Sequence, residues 1–247
     1  MKLVAQWCTS ILDKCGVGPL LRPAVRCIHE QGNYLARIPS LLTRKSTIVS
    51  YLSHNVSRKL HLGASDKILA GWLNSDLEPG SSNCIFLDAT KTFPFPDASL
   101  DYVFCEHFVE HISLEGAAVC FREVFRCLKH GGVFRIATPN LKIYTDLFQE
   151  TLGLQQTEFL GRFGNFFKLG HVSPCVALNH IFYNWGHCFL YTQDELSAAL
   201  RRAGFEQVTS VSVGKSQHDA LRGIEQHWRF YGVEMNEYET LVMEASK

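Results

Sequence analysis

KLHLGASDKILAGWLNSD, residues 59–76, decides the fold. Residues 59–62 read as a strand that breaks at Gly63 into a turn of small residues, Ala64 and Ser65. A glycine at a strand's carboxyl end lets backbone N–H groups approach a ligand closely, because no Cβ stands in the way. A second short strand is expected over 71–77, and it carries Asp76. In open α/β sheets ligands sit outside the carboxyl ends of the strands, and a carboxylate there can hold both ribose hydroxyls. The stretch therefore reads as one side of a nucleoside-binding crevice.

Further strands are expected over 84–87, ending at Asp88-Ala89-Thr90, and over 101–105, ending at Glu106-His107. A turn-rich loop with two prolines, 93–99, lies between them. Ser113 is the N-cap expected for a helix reaching about residue 129, with Ala117, Phe121, Val124, Phe125 and Leu128 on its buried face and Gly131-Gly132 closing it. A strand over 133–137 ends at Thr138-Pro139-Asn140. Residues 142–169 read as a helix followed by a loop rich in Phe and Gly, an insertion of the kind that forms lids. Thr192-Gln-Asp-Glu195 is a capping box opening a helix that Gly204 ends. The last strands are expected over 207–213 and 239–245. Strands alternating with helices imply a doubly wound α/β fold with a mainly parallel sheet, and the closing pair implies an antiparallel edge strand.

Before the sheet, apolar residues recur at helical spacing over 3–12, 20–31 and 46–56. Residues 1–57 are thus expected to form a helical cap on a body spanning 58–247, with 142–190 as a substrate or lid insertion. The cap holds seven Lys/Arg against two Asp/Glu, although the whole chain of 247 residues has a formal net charge of +0. A neutral chain offers no general field for nucleic acid. Nine cysteines without a C-x-x-C pair suggest free thiols in a reducing compartment, and no apolar run is long enough to cross a bilayer. The expectation is a cytoplasmic protein.

LHLGAS, GWLNSD, FLDAT, FPFPDASLDYVFCEHFVEHI and CLKHGGVFRIATPN follow one another in this order, and LSAALRRAGF occurs later. Together they make residues 59–247 resemble the class I (Rossmann-like) methyltransferases dependent on S-adenosylmethionine (SAM), and most closely a branch of predicted methyltransferases with the motif LGxx…GWLNxD. The resemblance implies SAM as the cofactor. It places Gly63, Ala64 and Ser65 under the methionine and ribose, Asp76 on the ribose hydroxyls, and Asp88 with Ala89 at the adenine edge. Glu106, His107 and Phe108 would line the pocket floor. Two departures stand out: the family's G-x-G-x-G is reduced to Gly63, and His61 replaces the usual acidic residue. The connector over 64–70 is also too short for the usual first crossover helix.

His107-Phe-Val-Glu110-His111 also matches H-x-x-E-H, a zinc peptidase pattern when it lies on a helix. Here it begins at a strand end with no clear third ligand helix, and no metal site is expected from it. Substrate contacts are expected from Tyr34 on the cap, Tyr144 and Trp185, and catalytic ones from Asn140, Tyr183 and His187. Aromatic faces suit a sulfonium, which is a cation without hydrogen-bond donors. An imidazole such as His187 can accept a proton near neutrality. The leading expectation is methyl transfer to a small molecule. Two alternatives stand beside it: cyclisation of SAM itself, as in azetidine-2-carboxylate synthases that release methylthioadenosine, and a methyltransferase-like binding protein without activity.

Overall fold

The computed structural model describes residues 38–247, except for the side chains of Phe230 and Tyr231. Tyr34 and the helices expected over 3–12 and 20–31 lie outside the described residues. The first described element is helix α1, residues 38–54. It starts earlier than the apolar spacing indicated, with Pro39 in its first turn, where a missing N–H costs nothing. Then come β1 (Lys59–Leu62), β2 (Leu73–Asp76), β3 (Cys84–Phe86), β4 (Leu100–Glu106) and a 3-10 turn (Val109–His111). Helix α2 (Leu114–Cys127) and β5 (Leu128–Pro139) follow. The insertion holds α3 (Leu141–Thr145), α4 (Leu154–Phe167) and α5 (Pro174–Tyr183). The chain closes with α6 (Gln193–Arg202), β6 (Gln207–Val211), α7 (Trp228–Tyr231), α8 (Val233–Glu239) and β7 (Thr240–Ser246).

The seven strands form one sheet in the order β3-β2-β1-β4-β5-β7-β6. The first five strands in chain order pair in parallel, and β7 runs antiparallel between β5 and β6. The antiparallel strand is therefore not itself the border; β6 is, and it pairs with β7 alone. At the opposite border α1 covers β3, with Ser40 Oγ accepting the Phe86 N–H at 2.7 Å. That occupies backbone groups which an open edge would offer to another chain.

One face of the sheet is conventional. Leu60, Leu62, Val103, Cys105, Phe134 and Ile136 pack under α2 and α6 in the main core, where Ile48 of α1 joins them. Ser113 caps α2 by accepting the Gly116 N–H, and Thr192 caps α6 by accepting the Glu195 N–H. Helix α2 ends at Cys127, earlier than expected, because the chain turns directly into β5; Gly131 and Gly132 lie inside that strand. The stretch read as a Phe- and Gly-rich loop is instead mostly α4, which buries Phe159, Leu160 and Phe163 on one face. Periodic aromatic burial outweighs the weak helix propensity of Gly161 and Gly164.

The other face differs from a standard doubly wound sheet. The link from β1 to β2 carries no helix, as its length predicted. Asn74 holds it instead: its side chain accepts the Leu69 N–H (2.9 Å) and donates to the carbonyls of Leu69 (3.0 Å) and Trp72 (3.1 Å). The exposed sheet face is then covered from far along the chain. Leu221 and Ile224 pack on Leu69, Trp72, Phe104 and Val133. Arg135 on β5, fully buried, fastens this strap. It donates to Glu225 Oε1 (2.6 Å), to Glu244 Oε1 on the register neighbour β7 (2.5 Å), and to the Lys215 carbonyl (2.9 Å).

His61 sits in the middle of this second face, 2% exposed, stacked on Phe104 with ring centres 5.2 Å apart. Its Nδ1 lies 3.1 Å from Asn74 Oδ1. Burial lowers its pKa from 6.5 to about 4, the Asn74 contact opposing only in part. The unfolded chain therefore binds a proton at His61 that the folded chain refuses. Stability from this group should be fully present above pH 6.5 and fall between pH 6.5 and about 4, by roughly 3 kcal/mol at a cost of ~1.4 kcal/mol per unit. Urea titrations across that window should show the loss in the wild type and a flatter profile in His61→Gln; parallel profiles would refute the assignment.

Candidate active site

The carboxyl ends of β1, β2 and β4 make one mouth. Gly63 ends β1 with φ +65°, and a Cβ there would lie 2.4 Å from the Phe108 ring, so its bare backbone is what lets Phe108 close against the turn. Ser65 (φ +48°) donates its N–H to Asp76 Oδ2 at 2.9 Å, while Asp76 Oδ1 accepts the Glu78 N–H at 2.8 Å. Each carboxylate oxygen keeps a further lone pair for a ligand. Ala64 is buried beneath the turn. At the end of β3, Asp88 Oδ1 accepts the N–H (3.0 Å) and hydroxyl (2.7 Å) of Thr90, and Ala89 belongs to the main core.

Glu106, buried at the end of β4, is the most heavily bonded group of the mouth. It pairs with Lys67 at 3.0 Å and accepts the backbone N–H groups of Gln226 and His227, both at 2.8 Å to Oε1. The strap thus reaches across the sheet to the strand ends. His107, at φ +48°, stacks on His227 with ring centres 3.5 Å apart. Burial, then the neighbouring positive groups, keeps the His227 imidazole neutral by driving its pKa strongly down.

A cavity of about 420 Å³ opens from this mouth toward the insertion. Gly63, Ser65, Lys67, Glu106 and His107 line one end; Phe163, Phe166, Phe167 and Trp185 line the other. Between them lie Glu110, His111, Tyr144, His187 and Glu239. Glu110 has no exposed surface; its Oε2 accepts the Thr138 hydroxyl at 2.9 Å and its Oε1 lies 3.2 Å from His107 Nδ1. Burial raises its pKa, but the contacts with His107 and His111 more than offset this, and the carboxyl is held below its usual value. His187 Nδ1 is 2.6 Å from the Ile181 carbonyl, which fixes the proton on Nδ1 and leaves Nε2 as an acceptor. Burial lowers its pKa. Tyr144 donates to the buried Glu239 at 2.5 Å, tying α3 to α8.

Of the residues picked out in the sequence, Gly63, Ser65, Glu106, His107, Tyr144, Trp185 and His187 line this cavity. Ala64, Asp76, Asp88, Ala89 and Phe108 do not: Asp76 ends β2, Asp88 and Ala89 follow β3, and Phe108 packs against Gly63. Asn140 is the N-cap of α3, its Oδ1 taken by the Lys142 N–H at 3.1 Å, and Tyr183 is 83% exposed at the end of α5. Neither is among the lining residues. Lys67, Glu110, His111, His227 and Glu239 were not selected. Glu110 and His111 were visible as part of H-x-x-E-H, Glu239 stood at the start of the last expected strand, and His227 comes from a connection whose path no local pattern indicates.

Residues 47–136 match the family model described as Methyltransferase domain. The match covers 90 of the chain's 247 residues. SAM is the cofactor that goes with that family, and the sheet order is that of the class I fold. No curated protein matches the chain. Among solved structures, a SAM-dependent methyltransferase from Archaeoglobus fulgidus is 17% identical, with 86% of this chain and 94% of that one covered at a TM-score of 0.45. A SAM-dependent methyltransferase from Thermotoga maritima is 13% identical, with 87% and 97% covered at 0.45. Phosphoethanolamine N-methyltransferase 2 of Haemonchus contortus, solved with SAM, is 14% identical, with 83% and 52% covered at 0.38. Among the described residues no helix is long and apolar enough to cross a membrane, and all six cysteines are free.

The dependence of the strand-end mouth on the strap can be measured. Arg135→Met leaves Glu225 and Glu244 buried without their cation, a loss of about 3–5 kcal/mol by the usual cost of breaking a buried pair. Urea unfolding should show it, and hydrogen exchange should accelerate at the amides of Gly214, Gln226 and His227, which donate to Glu225 and Glu106. Unchanged exchange at those amides would mean that the strap is held by something else.

Proposed function

We propose that this chain transfers the methyl group of SAM to a small-molecule acceptor held in the cavity between the strand ends and α4–α5. The observation that carries the reading is the cavity itself, polar and charged at the strand ends and aromatic at the far end. Its volume of about 420 Å³ is in the range of small-ligand sites.

The residues fit the cofactor. Lys67 and Glu106, 3.0 Å apart, offer one positive and one negative group to a zwitterionic amino-acid tail. Asp76 offers two carboxylate oxygens to the ribose hydroxyls, with Asp88 and Ala89 beyond it for the adenine. When bound, SAM supplies a methyl group already activated on a cationic sulfur, and its transfer leaves a neutral thioether. The work left to the protein is alignment and exclusion of water. Phe163, Phe167 and Trp185 provide a dry wall and ring faces for the positive charge. Tyr144, fixed by Glu239, limits the depth at which an acceptor sits. The acceptor's proton passes to the imidazole cluster around His187, whose Nε2 is free to receive it. Asn140 and Tyr183 act from outside the cavity, through the start of α3 and the end of α5. The cap expected over 1–57 enters this reading only beyond its described part, because no residue of 38–57 lines the cavity.

Calorimetric titration with SAM should give saturable binding that Asp76→Ala weakens at least about tenfold, equal to ~1.4 kcal/mol. Incubation with SAM alone, followed by mass spectrometry, should return it intact. Methylthioadenosine with azetidine-2-carboxylate would replace this reading by cyclisation. Absence of binding would leave a methyltransferase-like binding protein.

A further inference from the structure

Glu110, His111 and His187 hold more ligand chemistry than proton acceptance uses. We propose that they bind a divalent transition-metal ion of the zinc and iron(II) class at the acceptor end of the cavity. One donor atom from each lies within 4.8 Å of the others. His111 is the exposed member, so its ring is the one free to adjust toward an ion, whose ligands of this kind stand at ~2.0–2.2 Å.

Three further observations point to a cation there. Glu110 is fully buried, and the contact of its Oε1 is the His107 imidazole at 3.2 Å, with no further hydrogen bond on that oxygen. A buried carboxylate oxygen compensated only by an imidazole contact of that length is costly, and a cation answers that cost. Its other oxygen is oriented by the Thr138 hydroxyl, and His187 is oriented through Nδ1 by the Ile181 carbonyl. Both are the outer hydrogen bonds that metal ligands use to present the remaining lone pair. Finally, the N–H groups of Cys188 and Phe189 donate to the Glu110 carbonyl at 2.6 and 3.2 Å. The two segments that supply the ligands are thereby joined before any ion arrives.

Two imidazoles and one carboxylate select zinc, iron or manganese over magnesium or calcium, and leave coordination positions open. These ligands differ from those of the peptidase pattern, which would pair His107 with His111. On the methyl-transfer reading, on which this last step rests, the open positions face the acceptor. With the ion bound, His187 Nε2 would be a ligand rather than the proton acceptor; the ion would take an acceptor oxygen, nitrogen or sulfur and lower its pKa, so that its proton leaves to solvent before transfer.

The test uses the full chain stripped with a chelator, titrated calorimetrically with Zn(II) and optically with Co(II). One equivalent should bind and give visible Co(II) bands, and His111→Ala and His187→Ala should each weaken binding at least about tenfold. His111 is exposed, so its variant should keep the melting temperature of the metal-free protein. No saturable binding, or binding unchanged in both variants, overturns the site. SAM affinity measured on the same metal-free samples separates the outcomes: lost SAM binding with intact metal binding sinks the functional reading alone.

Discussion

Arg135 lies in the centre of the sheet with no exposed surface and two carboxylates on its guanidinium. An ion triad of this kind adds little net stability over apolar packing, because desolvation offsets attraction. What it adds is direction. A short β1–β2 link leaves one face of the sheet without its crossover helix, and something else must cover Phe104, Val133 and Trp72. Apolar contacts from Leu221 and Ile224 alone could slide; a guanidinium bonded to Glu225, Glu244 and the Lys215 carbonyl cannot. The strap that results carries the Gln226 and His227 N–H groups to Glu106, so the charge at the strand-end side of the cavity is oriented from β5.

The far end of the cavity has a different foundation. There α3, α4 and α5 build a second core from Tyr144, Phe159, Phe163, Ala177 and Ile181, joined by Met235 of α8. The insertion is thus pinned to the chain just before β7, and the Tyr144–Glu239 bond does the pinning with polar groups. Both covers of the cavity, strap and insertion, meet in the segment between β6 and β7. Residues 212–239 contribute to each wall, which makes them the structural counterpart of the helix that the β1–β2 link omits.

The sheet and its order of elements were legible because strand and helix signals are local. The alternating runs, the Ser113 and Thr192 caps and Gly204, at φ +113°, each act within a few residues. Asp76 and Glu106 were legible for the same reason, as acidic residues at strand ends. Helix α4 was misread because Gly161 and Gly164 lower its propensity, and only its tertiary partners restore it. The strap was invisible because residues 212–227 carry almost no regular structure. Its order comes from contacts with Arg135, Glu106 and the sheet face, which lie about 80 to 160 residues earlier in the chain. Asn140 and Tyr183 were chosen by residue type and position; the structure places one as the N-cap of α3 and the other on the surface at the end of α5, both outside the cavity lining.

H-x-x-E-H shows how far spacing depends on backbone. On a helix, residues four apart share a face, and His107 and His111 would converge. Here His107 takes a left-handed conformation at the end of β4, and only the 3-10 turn Val109–His111 follows. The two imidazoles part: His107 turns to His227, with ring centres 3.5 Å apart, and His111 to His187, at 4.9 Å. Glu110, between them, is buried by the same turn and faces both. A left-handed non-glycine residue costs about 1 kcal/mol or more, and the surrounding contacts must hold it. The His107 N–H to the Ala137 carbonyl, at 2.8 Å, and the stack on His227 are those contacts. The same strap that covers the sheet thus fixes the one backbone conformation that turns a helix-type motif into a cluster lining the cavity.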